Sequence, residues 1–218
     1  DIYLGQFQVS DPLFKRELRL TYEDYQLYTS RIGRSNITMK YDKGIMITYS
    51  LPSATDFVFE IVNGNGLSET NQMKLFDQDK YKSYLGRISQ NIGENIRLGF
   101  VGYFGKEDIP GDFQNITNEV MYIGPDATFT YSDMLELNLQ YLYREDSEVT
   151  LPEFPASSIE NVQTNGFLGE VIFSPDGDQS DWYAVALYNY VESDFNPADY
   201  LSITGHIGYI LRRNVRLS

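Results

Sequence analysis

No cysteine occurs in the 218 residues. That one absence removes disulfide frameworks, cysteine zinc sites, thiol nucleophiles and covalent haem attachment together. Histidine is almost as scarce: His206 stands alone, so a histidine-rich metal centre is excluded. Long apolar runs are missing too. No stretch approaches the ~18 residues that a transmembrane helix needs. Bases are few, 17 Lys and Arg against 31 Asp and Glu, for a net charge of −14. Nucleic acid is therefore not an expected partner, because phosphate binding needs a basic footprint. The start has no basic segment followed by an apolar one, as a secretory signal would, and Asp1–Gly5 already reads as strand.

Aromatic side chains, by contrast, are plentiful: 18 Tyr and 13 Phe in a chain whose mean hydropathy is only −0.36. The stretch from Met134 to Arg144 shows how both can hold. Leu135, Leu137, Leu139, Tyr141 and Tyr143 share one parity, while Glu136, Asn138, Gln140 and Arg144 share the other. Strand side chains alternate faces, so this is a strand with one apolar and one polar side. About ten such residues, tilted, cross a bilayer's hydrocarbon core, and alternation hides them from hydropathy averages.

The same alternation recurs along the chain. Strands are expected at 1–9, 37–51, 56–63, 81–92, 95–105, 119–131, 134–144, 164–174, 181–191 and 200–211, with an eleventh beginning near 214. Residues 10–36 differ. Asp11 suits a helix cap, Pro12 a first turn and Gly33 a stop, and Tyr22, Tyr25, Tyr28 and Ile32 fall at helical spacing. One or two short helices inside a long connection are expected there. The other connections alternate: short at 52–55, 93–94, 131–134, 175–180 and 212–214, long at 64–80, 106–118, 145–163 and 192–199. Short turns at one end and long loops at the other mark an up-and-down transmembrane β-barrel more than a Greek-key sandwich. The four long loops hold 14 acids and 3 bases, which fits a water-exposed rim.

The segment Gly5–Leu20, a strand running into a basic helical stretch, resembles the phosphate-selective porin O/P type of Gram-negative outer membranes. So does Met121-Tyr-Ile-Gly-Pro-Asp126 feeding a strand that ends Tyr141-Leu-Tyr-Arg-Glu-Asp146. The resemblance is one of pattern across most of the chain, without an invariant motif. It implies an all-β, antiparallel barrel of about sixteen strands, of which 1–218 supplies ten or eleven as one domain. It further implies a homotrimer in the bacterial outer membrane, in contact with lipid and lipopolysaccharide, passing small polar solutes or ions without a cofactor and without catalysis. The heavy acidity departs from what an anion pore leads one to expect.

Candidate site residues follow from the barrel. Lys15, Arg16 and Arg19 are the densest basic cluster. If residues 10–36 fold into the lumen, these three stand at a constriction and bias the pore toward anions; otherwise they are a solvated helix face. Arg87, Arg97 and Arg144, with Glu60, Glu136 and Glu170, share the polar parity of their strands. A charge on the lipid side costs ~2–4 kcal/mol near the midplane, so they belong inside, lining a wet path or bridging across a filled lumen.

Three further features carry less. His206 has Ser202 and Thr204 on its own strand face, but ~13 and ~7 Å along the strand is too far for a nucleophile–base pair. Asp176–Asp181 starts like a calcium loop, yet Asp181 stands where glycine is needed and Leu187 where the bidentate Glu belongs. Asn36-Ile-Thr38 and Asn115-Ile-Thr117 are glycosylation sequons by pattern only. Besides a diffusion pore, a second class of function is a structural barrel that sheathes a partner such as an electron-transfer cytochrome, with any haem carried by that partner.

Overall fold

The computed structural model describes residues 1–9, 20, 24–67, 79–109, 115–150, 158–212 and 215–217. One antiparallel sheet organises them, its strands neighbouring each other in chain order. They are β1 (Ile2–Gln8), β2 (Tyr41–Ser50), β3 (Thr55–Val62), β4 (Ser83–Ile92), β5 (Ile96–Ile109), β6 (Ile116–Tyr131), β7 (Leu135–Thr150), β8 (Ser158–Phe173), β9 (Trp182–Ser193), β10 (Tyr200–Arg212) and the short β11 (Val215–Leu217). Among the described residues β1 and β11 are free edges that do not pair with each other, so the sheet is open. No helix among them is long and apolar enough to cross a membrane. Among the described residues the one α-helix, α1 (Gln26–Thr29), is a single turn.

The turns explain the meander. At Ser132 and Asp133 both residues have φ near +50°, the left-handed pair that a two-residue hairpin requires, and the Met134 N–H returns to the Tyr131 carbonyl. Gly93 takes φ +64° between β4 and β5. Three of the four expected long loops, at 106–118, 145–163 and 192–199, are shorter than the sequence pattern suggests. β5 runs on to Ile109, β7 to Thr150 and β8 starts at Ser158, because alternation continues there with polar residues on both sides. Helix is likewise scarcer between 24 and 36 than tyrosine spacing suggests. Residues 37–40 are not strand: Ile37 and Met39 are fully buried and belong to the preceding segment.

The two faces of the sheet have opposite environments. One is covered by residues 24–40, and there Tyr25, Tyr28, Ile37 and Met39 pack with Leu85, Val101, Tyr103, Leu142, Leu168 and Leu187. Yet the same face also carries most of the charged strand residues. The other face is bare, and it is the apolar one: Ile47, Phe59, Ile88, Phe100, Phe129, Tyr141, Val171, Tyr188 and Ile203 are all exposed. A soluble sheet buries this side. Residues in this sheet therefore contribute to folding in water by their covered parity alone. Leu168→Ala, at 0 % exposure, should cost about 2–5 kcal/mol in chemical denaturation. Ile203→Ala, at 79 %, should change stability by less than about 0.5 kcal/mol. Similar costs at both positions would mean the covered and bare faces are wrongly assigned.

Candidate functional site: the covered polar face

Ladder partners share a face, so the register lays polar side chains in rows across the covered side. One row runs Asn91, Arg97, Thr128, Asn138, Glu170 over β4 to β8. The adjacent row runs Ser89, Gly99, Asp126, Gln140, Leu168. Placing charges here is costly unless they are paired, and the pairs are found.

Arg87 reaches from β4 to Asp126 on β6, with Nη2 2.6 Å from Oδ1 and Nε 3.2 Å from Oδ2. Its Nη1 donates to Ser89 Oγ at 3.1 Å. Arg97 approaches the same carboxylate at 3.9 Å. The fork has to cross β5 to get there, and it crosses over Gly99. A methyl group at Gly99 would collide with both the guanidinium and the carboxylate. This glycine has no special φ; it is needed for space.

From the neighbouring row a second chain of contacts leads to the covering segment. Thr128 donates to Asn138 Oδ1 at 2.9 Å, and Asn138 Nδ2 donates to Glu136 at 2.7 Å and to Glu170 Oε2 at 3.2 Å. The other oxygen of Glu170 accepts the Tyr25 hydroxyl at 2.6 Å. Tyr28 bonds Gln140, and Asn189 donates to the Asp24 carbonyl at 2.8 Å.

A third group clamps residues 35–37. Arg144 holds Asp146 through two bonds of 2.6 and 2.7 Å, stacks on Tyr122 at 5.0 Å, and donates to the Ile37 carbonyl and the Ser35 hydroxyl at 3.2 Å each. Glu107 accepts from the Ser35 hydroxyl and from the Asn36 N–H at 2.9 Å. Asn118 donates to Asp146 at 2.9 Å. Two sockets complete the seat: Leu27 fills the space left by Gly166, and Ile37 lies where a side chain on Gly105 would go.

Arg87, Arg97 and Arg144 are therefore all buried on the covered face, and Glu60 and Glu170 with them. Glu136 is half-buried at the rim of two adjoining cavities of about 430 and 420 Å³ near the short turns. The two share Thr130 and Glu136 in their walls. Lys15, Arg16 and Arg19 lie outside the described residues. His206 stands beside Tyr183, Nε2 to hydroxyl 3.3 Å, with the rings 5.6 Å apart. The turn at Asp176 folds on itself through the Asp176 N–H and Ser180 Oγ, 2.7 Å apart. Among the described residues no group of three His, Cys, Asp or Glu is arranged to hold a metal.

Pattern reading missed the partners. Asp126 lies inside the expected strand 119–131 but is not among the candidate residues, while Glu107 and Asp146 are counted with the acidic loops. Parity was the available signal: each falls on the covered face of its strand. No protein-family model, curated protein or solved structure matches the chain.

Gly99 and Asp126 should be coupled in a double-mutant cycle. Asp126→Ala alone leaves a buried guanidinium and should cost about 3–5 kcal/mol. Gly99→Ala should also destabilise in the native background, but much less once Asp126 is already alanine, since the added methyl then has room. Additive costs would show that Gly99 does not make way for the ion pair.

Proposed function

We propose that this chain is part of an outer-membrane β-barrel that acts as a passive diffusion pore for small hydrophilic solutes, and that it performs no catalysis. The observation that carries the reading is the bare apolar band. It runs unbroken over nine strands, from Ile45–Tyr49 on β2 to Leu201–Tyr209 on β10. Soluble monomers rarely leave a contiguous apolar patch beyond a few hundred Å².

The band has the dimensions of a bilayer. On β9 it extends from Trp182 to Tyr190, eight residue steps or ~26 Å along the strand. Its edges are aromatic: Tyr49, Phe57, Tyr131, Trp182 and Tyr209 toward the short turns, Tyr84, Phe104, Tyr143 and Tyr190 toward the long loops. Just beyond the second edge the same faces turn polar at Lys82, Lys106, Glu119, Glu145 and Glu192, with Lys106 and Glu119 paired at 2.6 Å. Such aromatic girdles around a band ~25 Å tall are what a lipid-facing barrel needs.

The strands also slant across the band. From the band's centre on β2, Ile47, direct ladder partners run Phe59, Gly86, Gly102, Ile123, Tyr143, Asn165 and Glu192. On β9 the band is centred at Ala186, six residues from Glu192. Six residues over seven strand steps is ~20 Å in ~34 Å, a tilt of ~30°. Closed barrels tilt by roughly 35–45°. The open edges at β1 and β11 fit the same reading, because an unpaired strand edge in hydrocarbon costs several kcal/mol per group. Further strands, to about sixteen, would close it.

A sheath around a protein partner needs a vacant interior. Residues 24–40 already occupy the covered face of β5 to β9, which favours a pore narrowed by its own segment. Liposomes carrying the full-length protein should swell in small neutral sugars, faster for smaller ones and without saturation. Impermeable liposomes with correctly inserted protein would refute the pore.

A further inference from the structure

We propose that the pore favours cations over anions, an inference that rests on the pore reading above and names its solute class. The basic cluster Lys15, Arg16 and Arg19 suggests the opposite sign when read alone. Charges placed by the fold outweigh it.

The decisive region is the mouth at the short turns. Among the described residues its two adjoining cavities are lined by the acids Glu94, Asp133, Glu136 and Asp176 and by one cation, Arg97. Glu94, Asp133 and Asp176 are exposed and Glu136 is half-buried, so all four stand at the water of this mouth. Arg97 is 7 % exposed and shares Asp126, 3.9 Å away, with Arg87, so it offsets only part of the field of the four carboxylates. An ion entering here passes within a Debye length, ~8 Å at physiological salt, of several carboxylates.

Deeper in, the sign does not reverse. Among the described residues the buried ionisable side chains on the covered face are three guanidiniums, Arg87, Arg97 and Arg144, and six carboxyl groups, Asp42, Glu60, Glu107, Asp126, Asp146 and Glu170, of which burial pushes Glu107 up. The covering segment adds a surplus of two bases, Arg31, Arg34 and Lys40 against Asp24. Residues 10–23 contain Lys15, Arg16 and Arg19 but also Asp11, Glu17 and Glu23, a net of zero. Wherever that stretch lies, it cannot by its total charge make the passage positive. At the other end Glu119, Glu145 and Glu192 stand with Lys82 and Lys106 on the bare face, Lys106 paired to Glu119 at 2.6 Å, so they lie outside the passage and leave its sign to the covered face. Few like charges at close quarters set the sign of ion selectivity.

The test is the reversal potential of the full-length protein in planar bilayers across a tenfold KCl gradient, with swelling in a neutral sugar measured in parallel. The expected K⁺ to Cl⁻ permeability ratio is above about 2 at neutral pH. In the variant Asp133→Asn, Glu136→Gln, Asp176→Asn it should fall at least about halfway to unity, while sugar flux stays unchanged. Lys15→Gln with Arg16→Gln and Arg19→Gln should raise the ratio or leave it. An open pore that prefers Cl⁻, or one whose ratio ignores the three carboxylates, overturns this inference and leaves the pore standing. Failure to conduct and to pass sugar overturns both.

Discussion

The structure depends on where strand parity places its polar groups. Each strand offers two faces, and in this sheet the charged one is buried while the apolar one is bare. A buried charge must find a partner, and a bare apolar face of this size calls for cover by something other than water. Both requirements act on the same residues, so neither can be relaxed alone. A slip of one residue in any strand exchanges the faces. It would bury Leu137 and Leu139 among carboxylates and present Asn138 and Gln140 to the outside.

Pairing on the covered side explains details that look accidental in isolation. Gly99 stands in the middle of a long strand, where glycine ordinarily weakens the sheet, because the Arg87–Asp126 pair passes above it. Gly166 and Gly105 make room for Leu27 and Ile37. Segment 24–40 has little regular structure of its own, and side chains from β5, β7, β8 and β9 hold it alongside a few internal backbone hydrogen bonds. Tyr25 to Glu170 and Ser35 to Glu107 do for it what a helix or a ladder does elsewhere. A half-satisfied polar network is worse than an apolar core, which is why the contacts come as connected groups.

Much of this was legible in the sequence, and the exceptions have causes. The alternation in Met134–Arg144 identified β7 and its polar face, since a period of two is a direct image of the pleat. Turn residues located the hairpins at Gly93 and Ser132-Asp133. Strand ends were underestimated at Ile109, Thr150 and Ser158, because once both faces are polar the alternation carries no hydrophobic signal. For the same reason Glu107 and Asp146 read as loop acids. Residues 37–40 read as strand because Ile37 and Met39 alternate with polar neighbours, but burial against the sheet, not pairing within it, accounts for them. Parity said that Arg87, Arg97 and Arg144 share the polar side. It held no information on which carboxylate each would meet, which depends on register across neighbouring strands.

The central claim is that the bare apolar face meets lipid. The chain has one tryptophan, Trp182, on that face at the short-turn edge of the band, 40 % exposed and packed 5.6 Å from Phe173. It is a built-in reporter of depth. In bilayers its emission should be blue-shifted and quenched by lipids brominated near the headgroup end of the acyl chains. Bromines at the chain termini should quench it less. Red-shifted emission, quenched by iodide from the water and indifferent to brominated lipid, would contradict the membrane placement.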